Sequence, residues 1–166
     1  MNDDIRDRIK RLEITFDSGW TWKVWEDITD ICRANEWKSS EVIDGLPEKI
    51  RTVFLLSDLK STINNDGFFS VFYNEPPYAI KRLRRAIELS GVKSVGNLFD
   101  EAFQLIANRF TWSNEHENFV GQTGGTNPYE FFGNEITQRL EEIEKEVSGI
   151  LYTDDFEKLL ETYAKS

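Results

Sequence analysis

Apolar side chains recur along the chain at intervals of three and four residues, the spacing that stacks them on one face of a helix. Ile5, Ile9 and Leu12 begin the pattern on a mostly polar candidate helix from Asp3 to Glu13. Asp17, Ser18 and Gly19 break it. Trp22, Trp25, Ile28, Thr29 and Cys32 then share a face of a second helix, and the cluster Trp20, Trp22 and Trp25 reads as core rather than as a platform for a base or sugar. Ser39 or Ser40 is a candidate cap for a short turn ending at Gly45.

Pro47 suits the first turn of the next helix, where Ile50, Val53, Phe54, Leu56, Leu59 and Ile63 sweep out a stripe wide enough to be buried. Asn64 and Asn65 tolerate its end, and Gly67 can take the left-handed conformation that closes it. Phe68, Phe69, Phe72 and Tyr73 follow as one aromatic helical turn, stopped by Asn74 and by Pro76-Pro77. This stretch, with four aromatic rings in six residues, is the expected structural centre. Ile80, Leu83, Ala86 and Ile87 mark a further helix whose other face carries Lys81, Arg82, Arg84 and Arg85, read as a solvated or internally paired face rather than a phosphate patch. Ser94 or Asn97 could cap the next, with Phe99, Ala102, Phe103, Ile106 and Phe110 inward.

Trp112 to Asn127 has almost no periodicity and reads as a long surface loop, with Asn127-Pro128 starting a turn over Tyr129 to Phe132. Ile136, Leu140, Ile143, Val147 and Ile150 then form a helix seam, and Thr153 is a candidate N-cap for a last helix with Phe156, Leu159, Leu160 and Tyr163 inward. No segment alternates with period two for long. The expected fold is all-α, a single multi-helix domain over residues 1–166.

Composition changes this picture little. A 166-residue chain with 39% apolar residues can bury one sizeable core. Its formal charge of -10 disfavours direct binding to nucleic acid or to anionic membranes and favours a basic protein partner. One cysteine, Cys32, excludes an internal disulfide framework. Met1 to Lys10 lacks the apolar stretch of a secretory signal, and the apolar run Val53 to Leu56 is far too short to span a membrane, so the expected location is the cytoplasm.

Candidate chemistry is thin. The single His116 sits in Glu115-His116-Glu117, but adjacent residues converge poorly on one ion and no second histidine supplies a partner. Gly121-Gln122-Thr123-Gly124-Gly125-Thr126 resembles a phosphate cradle only in glycine content, since it lacks the lysine and a preceding strand. Cys32 falls on an apolar helical face, where a thiol is packing. No Ser-His-Asp or Cys-His arrangement stands out. The expectation is a non-enzymatic protein with no cofactor, no metal and no catalytic residues.

Asn65-Asp66-Gly67-Phe68 followed by Phe72-Tyr73-Asn74 resembles the signature of the DNA-mimic protein-like family of bacterial helical domains, an Asn-Gly-Gly-Phe turn, two spacer residues, Phe-Phe and a nearby asparagine. The similarity spans roughly Leu46 to Phe110, including Leu46-Pro47 and Ala86-Ile87-Glu88-Leu89-Ser90-Gly91-Val92. The chain departs from the pattern at Asp66, Ser70 and Val71, where glycine, glutamine and phenylalanine are usual. Asn65, Gly67, Phe68, Phe72, Tyr73 and Asn74 are thus the structural motif that the resemblance implies. The family takes its name from a protein that imitates double-stranded DNA with surface carboxylates and sequesters a transcription regulator. The resemblance therefore implies an acidic protein-interaction domain with a basic, DNA-binding partner. The signature is the aromatic turn, and no acidic residue is part of it.

Charge is polarised along the chain. From Glu130 to Ser166 there are ten acids and four bases, whereas Ala79 to Phe110 holds six bases and three acids. Carboxylates three or four residues apart on a helix project from points about 5–6 Å apart. Duplex DNA offers about one charge per 1.7 Å of axis, so rows of such carboxylates can imitate rows of phosphates. The candidate binding face is Glu135, Glu142 and Glu146 on the helix from Glu135 to Gly149, joined by Asp154, Asp155, Glu157 and Glu161. Arg139 can reach Glu135 or Glu142, which leaves Glu142 and Glu146 as a like-charged pair costing roughly 0.2–0.5 kcal/mol in an isolated helix. Two other uses fit the same polarity: an immunity-type or toxin-neutralising module docking through its acidic end, and a homodimer in which the basic helix of one subunit meets the acidic helices of another.

Overall fold

Nine of the nineteen residues of helix α4 (Glu48–Asp66) are buried, and they lie on every side of it, so the rest of the chain has to wrap around this element. The computed structural model describes residues 1–72, 79–108, 111–113, 118–120 and 133–166. Before α4 come α1 (Asp3–Lys10), α2 (Trp20–Ala34) and α3 (Ser39–Gly45), and after it come α5 (Ala79–Ser90) and α6 (Lys93–Ala107). The long α7 (Asn134–Leu151) and the terminal α8 (Asp154–Lys165) complete the set. α4 packs against α2, α5, α7 and α8, while α1 and α3 close over α2. The fold is all-α around one hydrophobic core, as the periodicity predicts.

Local chemistry sets the boundaries. Asn2 caps α1 by accepting the Ile5 N–H at 3.0 Å, and α1 stops at Lys10 rather than at Glu13. Gly19, at φ +79°, opens α2 as a left-handed residue. Ser39 and Ser40 fall inside α3, and Ser94 and Asn97 inside α6, so none of the four caps the helix it was expected to start. Thr153 does cap α8, accepting the Phe156 N–H at 3.3 Å. The expected loop from Trp112 contains a small antiparallel ribbon, β1 (Thr111–Ser113) with β2 (Asn118–Val120), whose register pairs the Trp112 backbone with that of Phe119. Three-residue strands are too short to leave a period-two signature, which is why the sequence pattern misses them.

The centre lies where expected but has a different backbone. Gly67 adopts φ +81° and ψ 159°, a region essentially closed to residues with a Cβ, and not the left-handed helical one. The aromatic turn that follows, Phe68–Phe72, is a 3₁₀ turn and not α-helical. Phe68 and Phe72 are fully buried. Their rings meet edge to face at 5.6 Å, and Phe99 from α6 approaches them at 6.3 and 5.2 Å. Such aromatic pairs add about 0.5–1.5 kcal/mol each beyond the area they bury. Two of the three departures from the family pattern, Ser70 and Val71, are absorbed locally. The Ser70 hydroxyl donates to the Gly67 carbonyl at 2.6 Å, and Val71 is buried at 1% exposure. The Phe68 N–H, a donor left open by the turn, goes to the Glu144 carboxylate on α7 at 2.6 Å, a partner the sequence pattern does not reveal. Asn65 is exposed, with its amide 3.3 Å from the Ser61 hydroxyl. Tyr73, Asn74, Pro76, Pro77 and the side chains of Phe69 and Phe110 lie outside the described residues, as do His116, the run from Gly121 to Thr126, Asn127-Pro128 and Tyr129 to Phe132.

Two substitutions test this centre. Gly67→Val forces a β-branched residue into a glycine-only conformation and should cost about 1–3 kcal/mol. Phe72→Ala empties a ring-sized volume and should cost about 3–5 kcal/mol. Chemical denaturation measures both, and unchanged midpoints would remove this stretch from the centre of the fold.

Candidate functional site

The acidic end is built by α7 and α8. Thr137, Leu140, Ile143, Val147 and Leu151 are buried along α7, with Ile136 and Ile150 partly so, which turns Glu135, Glu141, Glu142 and Glu146 to solvent. On α8, Phe156 and Leu160 are buried and Leu159 and Tyr163 half-buried, leaving Asp154 and Asp155 exposed and Glu157 and Glu161 half-buried. The expected face therefore exists as an exposed surface, but most of its charge is compensated.

Arg139 is the reason. Its guanidinium grips Glu101 of α6 through two hydrogen bonds, at 2.6 and 3.0 Å, and also donates to Glu142 at 2.9 Å. Glu146 lies 3.5 Å away. Glu142 and Glu146 are thus bridged by one cation and are not the uncompensated like-charged pair that the sequence suggests; Arg139 reaches Glu142 and not Glu135. The arginine beside Glu101 holds that carboxyl below its ordinary range, and Glu101 and Glu142 raise the guanidinium's own affinity for a proton. Helix periodicity identifies Glu142 as a partner but cannot reveal Glu101, 38 residues earlier on another helix.

The other acids divide in the same way. Glu157 pairs with Lys60 at 3.4 Å, Glu161 with Lys165, and Asp155 lies 3.7 Å from Lys158. Glu135 and Asp154 have no ion pair among the described residues. The basic helix α5 is neutralised from within the chain. Arg82 forks onto Asp44 at 2.8 and 2.7 Å, Arg84 forks onto Asp100 at 2.5 and 2.8 Å, and Arg85 donates to Glu88 at 3.0 Å. This is the internal pairing expected of that face.

Beside α8 a groove of about 400 Å³ opens between α2, α4 and the corner joining α7 to α8. Trp22 lines it at 52% exposure and Tyr152 at 48%. This corrects the reading of the tryptophan cluster as core: only Trp20 is fully buried, Trp25 is half-buried, and Trp22 points outward. α2 turns Val24, Ile28 and Ile31 inward, a face rotated away from Trp22. Trp22 stacks on Trp25 with centroids 4.6 Å apart, and the Trp25 indole N–H donates to Asp58 at 2.7 Å. Burial pushes the Asp58 carboxyl upward, partly opposed by that indole hydrogen bond. Cys32 nearby is buried, and burial raises its thiol pKa. Among the described residues no three His, Cys, Asp or Glu side chains gather as a metal-binding group. Among them, too, no helix is long and apolar enough to cross a membrane.

The family signature sits on this framework. The DMP19-like protein family model matches residues 44–166, from the end of α3 to the end of the chain. The chain belongs to the DMP19-like protein family. The match reaches well beyond Leu46 to Phe110, the part legible as motifs, and takes in α7, α8 and both acidic helical faces. α1, α2 and most of α3 precede it. No curated protein and no solved structure matches the chain.

Arg139→Gln is the direct test of the charge bridge. It should lower the thermal midpoint at neutral pH, with the difference shrinking as salt is added. The Glu101 carboxyl is depressed in the folded state relative to its ordinary 4.5, so the unfolded chain binds more protons just below that value. Its contribution is present above pH 4.5 and fades as the pH falls through the depressed value. The variant should lose that part of the acid slope. Equal midpoints in low and high salt would show the bridge to be energetically idle.

Proposed function

We propose that this member of the DMP19-like family is a non-enzymatic protein-interaction domain whose acidic end binds a basic, DNA-binding protein such as a transcription regulator, in the manner of a duplex-DNA mimic. Family membership carries the reading, and the exposed carboxylates of α7 and α8 supply its chemistry. Ligands of duplex DNA are basic grooves and helices shaped to a lattice of phosphates. Glu135, Glu142, Glu146, Asp154 and Asp155 are exposed on two consecutive helices, and a cationic surface meets them as it meets a phosphate row. Arg139 lowers the net charge of that row while fixing Glu142 and Glu146 in place, so the carboxylates are positioned before a partner arrives. The partner is a protein; the chain's net charge of -10 speaks against direct binding to nucleic acid. The internal pairing of Arg82, Arg84 and Arg85 favours this reading over a homodimer held by α5, because those cations are already engaged.

An immunity-type or toxin-neutralising module would use the same acidic end, and DNA competition separates the two. The partner retained by the chain in its native cell should be basic, and duplex DNA should displace it. Association should also weaken steeply with salt, as charge-steered encounters do. Glu142→Gln with Glu146→Gln should weaken it further. A partner held at full affinity in saturating duplex DNA contradicts mimicry and assigns the neutralising role.

A further inference from the structure

Trp22 and Tyr152 are two of the four large hydrophobic side chains left exposed among the described residues, and both line the same groove. Each is held rigid. Trp22 is stacked on Trp25, which Asp58 fixes through the indole N–H. The Tyr152 hydroxyl donates to the Lys60 carbonyl at 2.8 Å, and the Lys60 ammonium lies 4.8 Å from the ring centroid. Aromatic anchors that are fixed beforehand lose little conformational freedom when a partner docks. α4 adds Asn64 and Ser57 to the lining, and the Ser57 hydroxyl is buried with no hydrogen-bond partner among the described residues.

Charge decides what fits. The lining's Lys60 and Glu157 offset one another across 3.4 Å, a long and loosely held pair. Asp17, Asp66 and Asp154, each within two residues of a lining residue, are exposed and form no ion pair among the described residues. The stretches of chain that supply the lining are therefore acidic on balance and its walls include two aromatic rings, which complements a cation with a flat face. A guanidinium stacks on aromatic rings and carries five donors in a fixed fork, whereas an ammonium is a compact, strongly hydrated point charge. We infer that the groove receives an arginine side chain presented by a basic partner protein, stacked against Trp22 and Tyr152 and hydrogen-bonded to acceptors such as Glu157 and Asn64. The inference rests on the protein-binding reading above and goes beyond family membership, because Trp22 precedes the residues that the family model matches.

The test is titration of the full-length, ¹⁵N-labelled chain with N-acetyl-arginine amide and with its neutral isostere N-acetyl-citrulline amide. The indole N–H signal of Trp22, assigned with Trp22→Phe, is the readout. A saturable shift is expected with the arginine probe, about tenfold weaker with citrulline, a ratio in the range of a partly desolvated cation–π contact. Tyr152→Ala and Glu157→Gln should each erode that preference. No saturable shift at Trp22, or equal binding of the two probes, overturns the inference. A captured partner whose affinity is unchanged by Trp22→Ser also overturns it, while leaving the acidic-end reading intact. A partner that loses affinity in Trp22→Ser but resists duplex DNA supports the groove and sinks only the mimicry.

Discussion

The rings of Phe68, Phe72 and Phe99 meet at the corner where three helices come together. It sits where α4 ends, where α6 crosses and where α7 passes, so three helices take their relative positions from one group of rings. The geometry needs a sharp exit from α4, and Gly67 supplies a backbone conformation that no residue with a Cβ occupies comfortably. The exit in turn leaves the Phe68 N–H without a helical acceptor. Glu144 answers it from α7, so a carboxylate in the chain's most acidic helix is spent on the core rather than on the surface. The aromatic turn thereby fixes the rotation of α7 and with it the direction in which Glu135, Glu142 and Glu146 face.

That coupling explains how a family signature with no acidic residue can accompany a surface made of acids. The aromatic turn sets the corner; the charges ride on the helix that it orients. Arg139 works at the same level. By joining Glu101 of α6 to Glu142 and Glu146 of α7, it braces the acidic helix against its neighbour and reduces the repulsion along it. An acidic end built in this way is more ordered and less highly charged than a count of its carboxylates suggests.

Much of the fold was legible because helical cores write themselves as a three-and-four spacing: Ile50, Val53, Leu56, Leu59 and Ile63 are all buried, as are Leu140, Ile143 and Val147. What failed did so for identifiable reasons. Trp22 reads as core from its aromatic character alone, but the exact angle around α2 turns Val24 and Ile31 inward instead. The β1–β2 ribbon is too short for any periodic signal. Of the candidate site, the exposure of Glu135, Glu142, Glu146, Asp154 and Asp155 was legible from helix phase. The Arg139–Glu101 bridge, the Lys60–Glu157 pair and the groove join residues far apart in sequence, and only the packed helices bring them together.

Under the proposed function, binding takes place at the end formed by α7, α8 and the adjoining groove, and not at the basic helix. Backbone hydrogen exchange on the chain, alone and saturated with the partner it retains, tests this most directly. Slowed exchange should concentrate at the start of α2, the second half of α4 and the stretch from α7 into α8. Protection confined to α5 and α6, with the acidic helices unchanged, would contradict it.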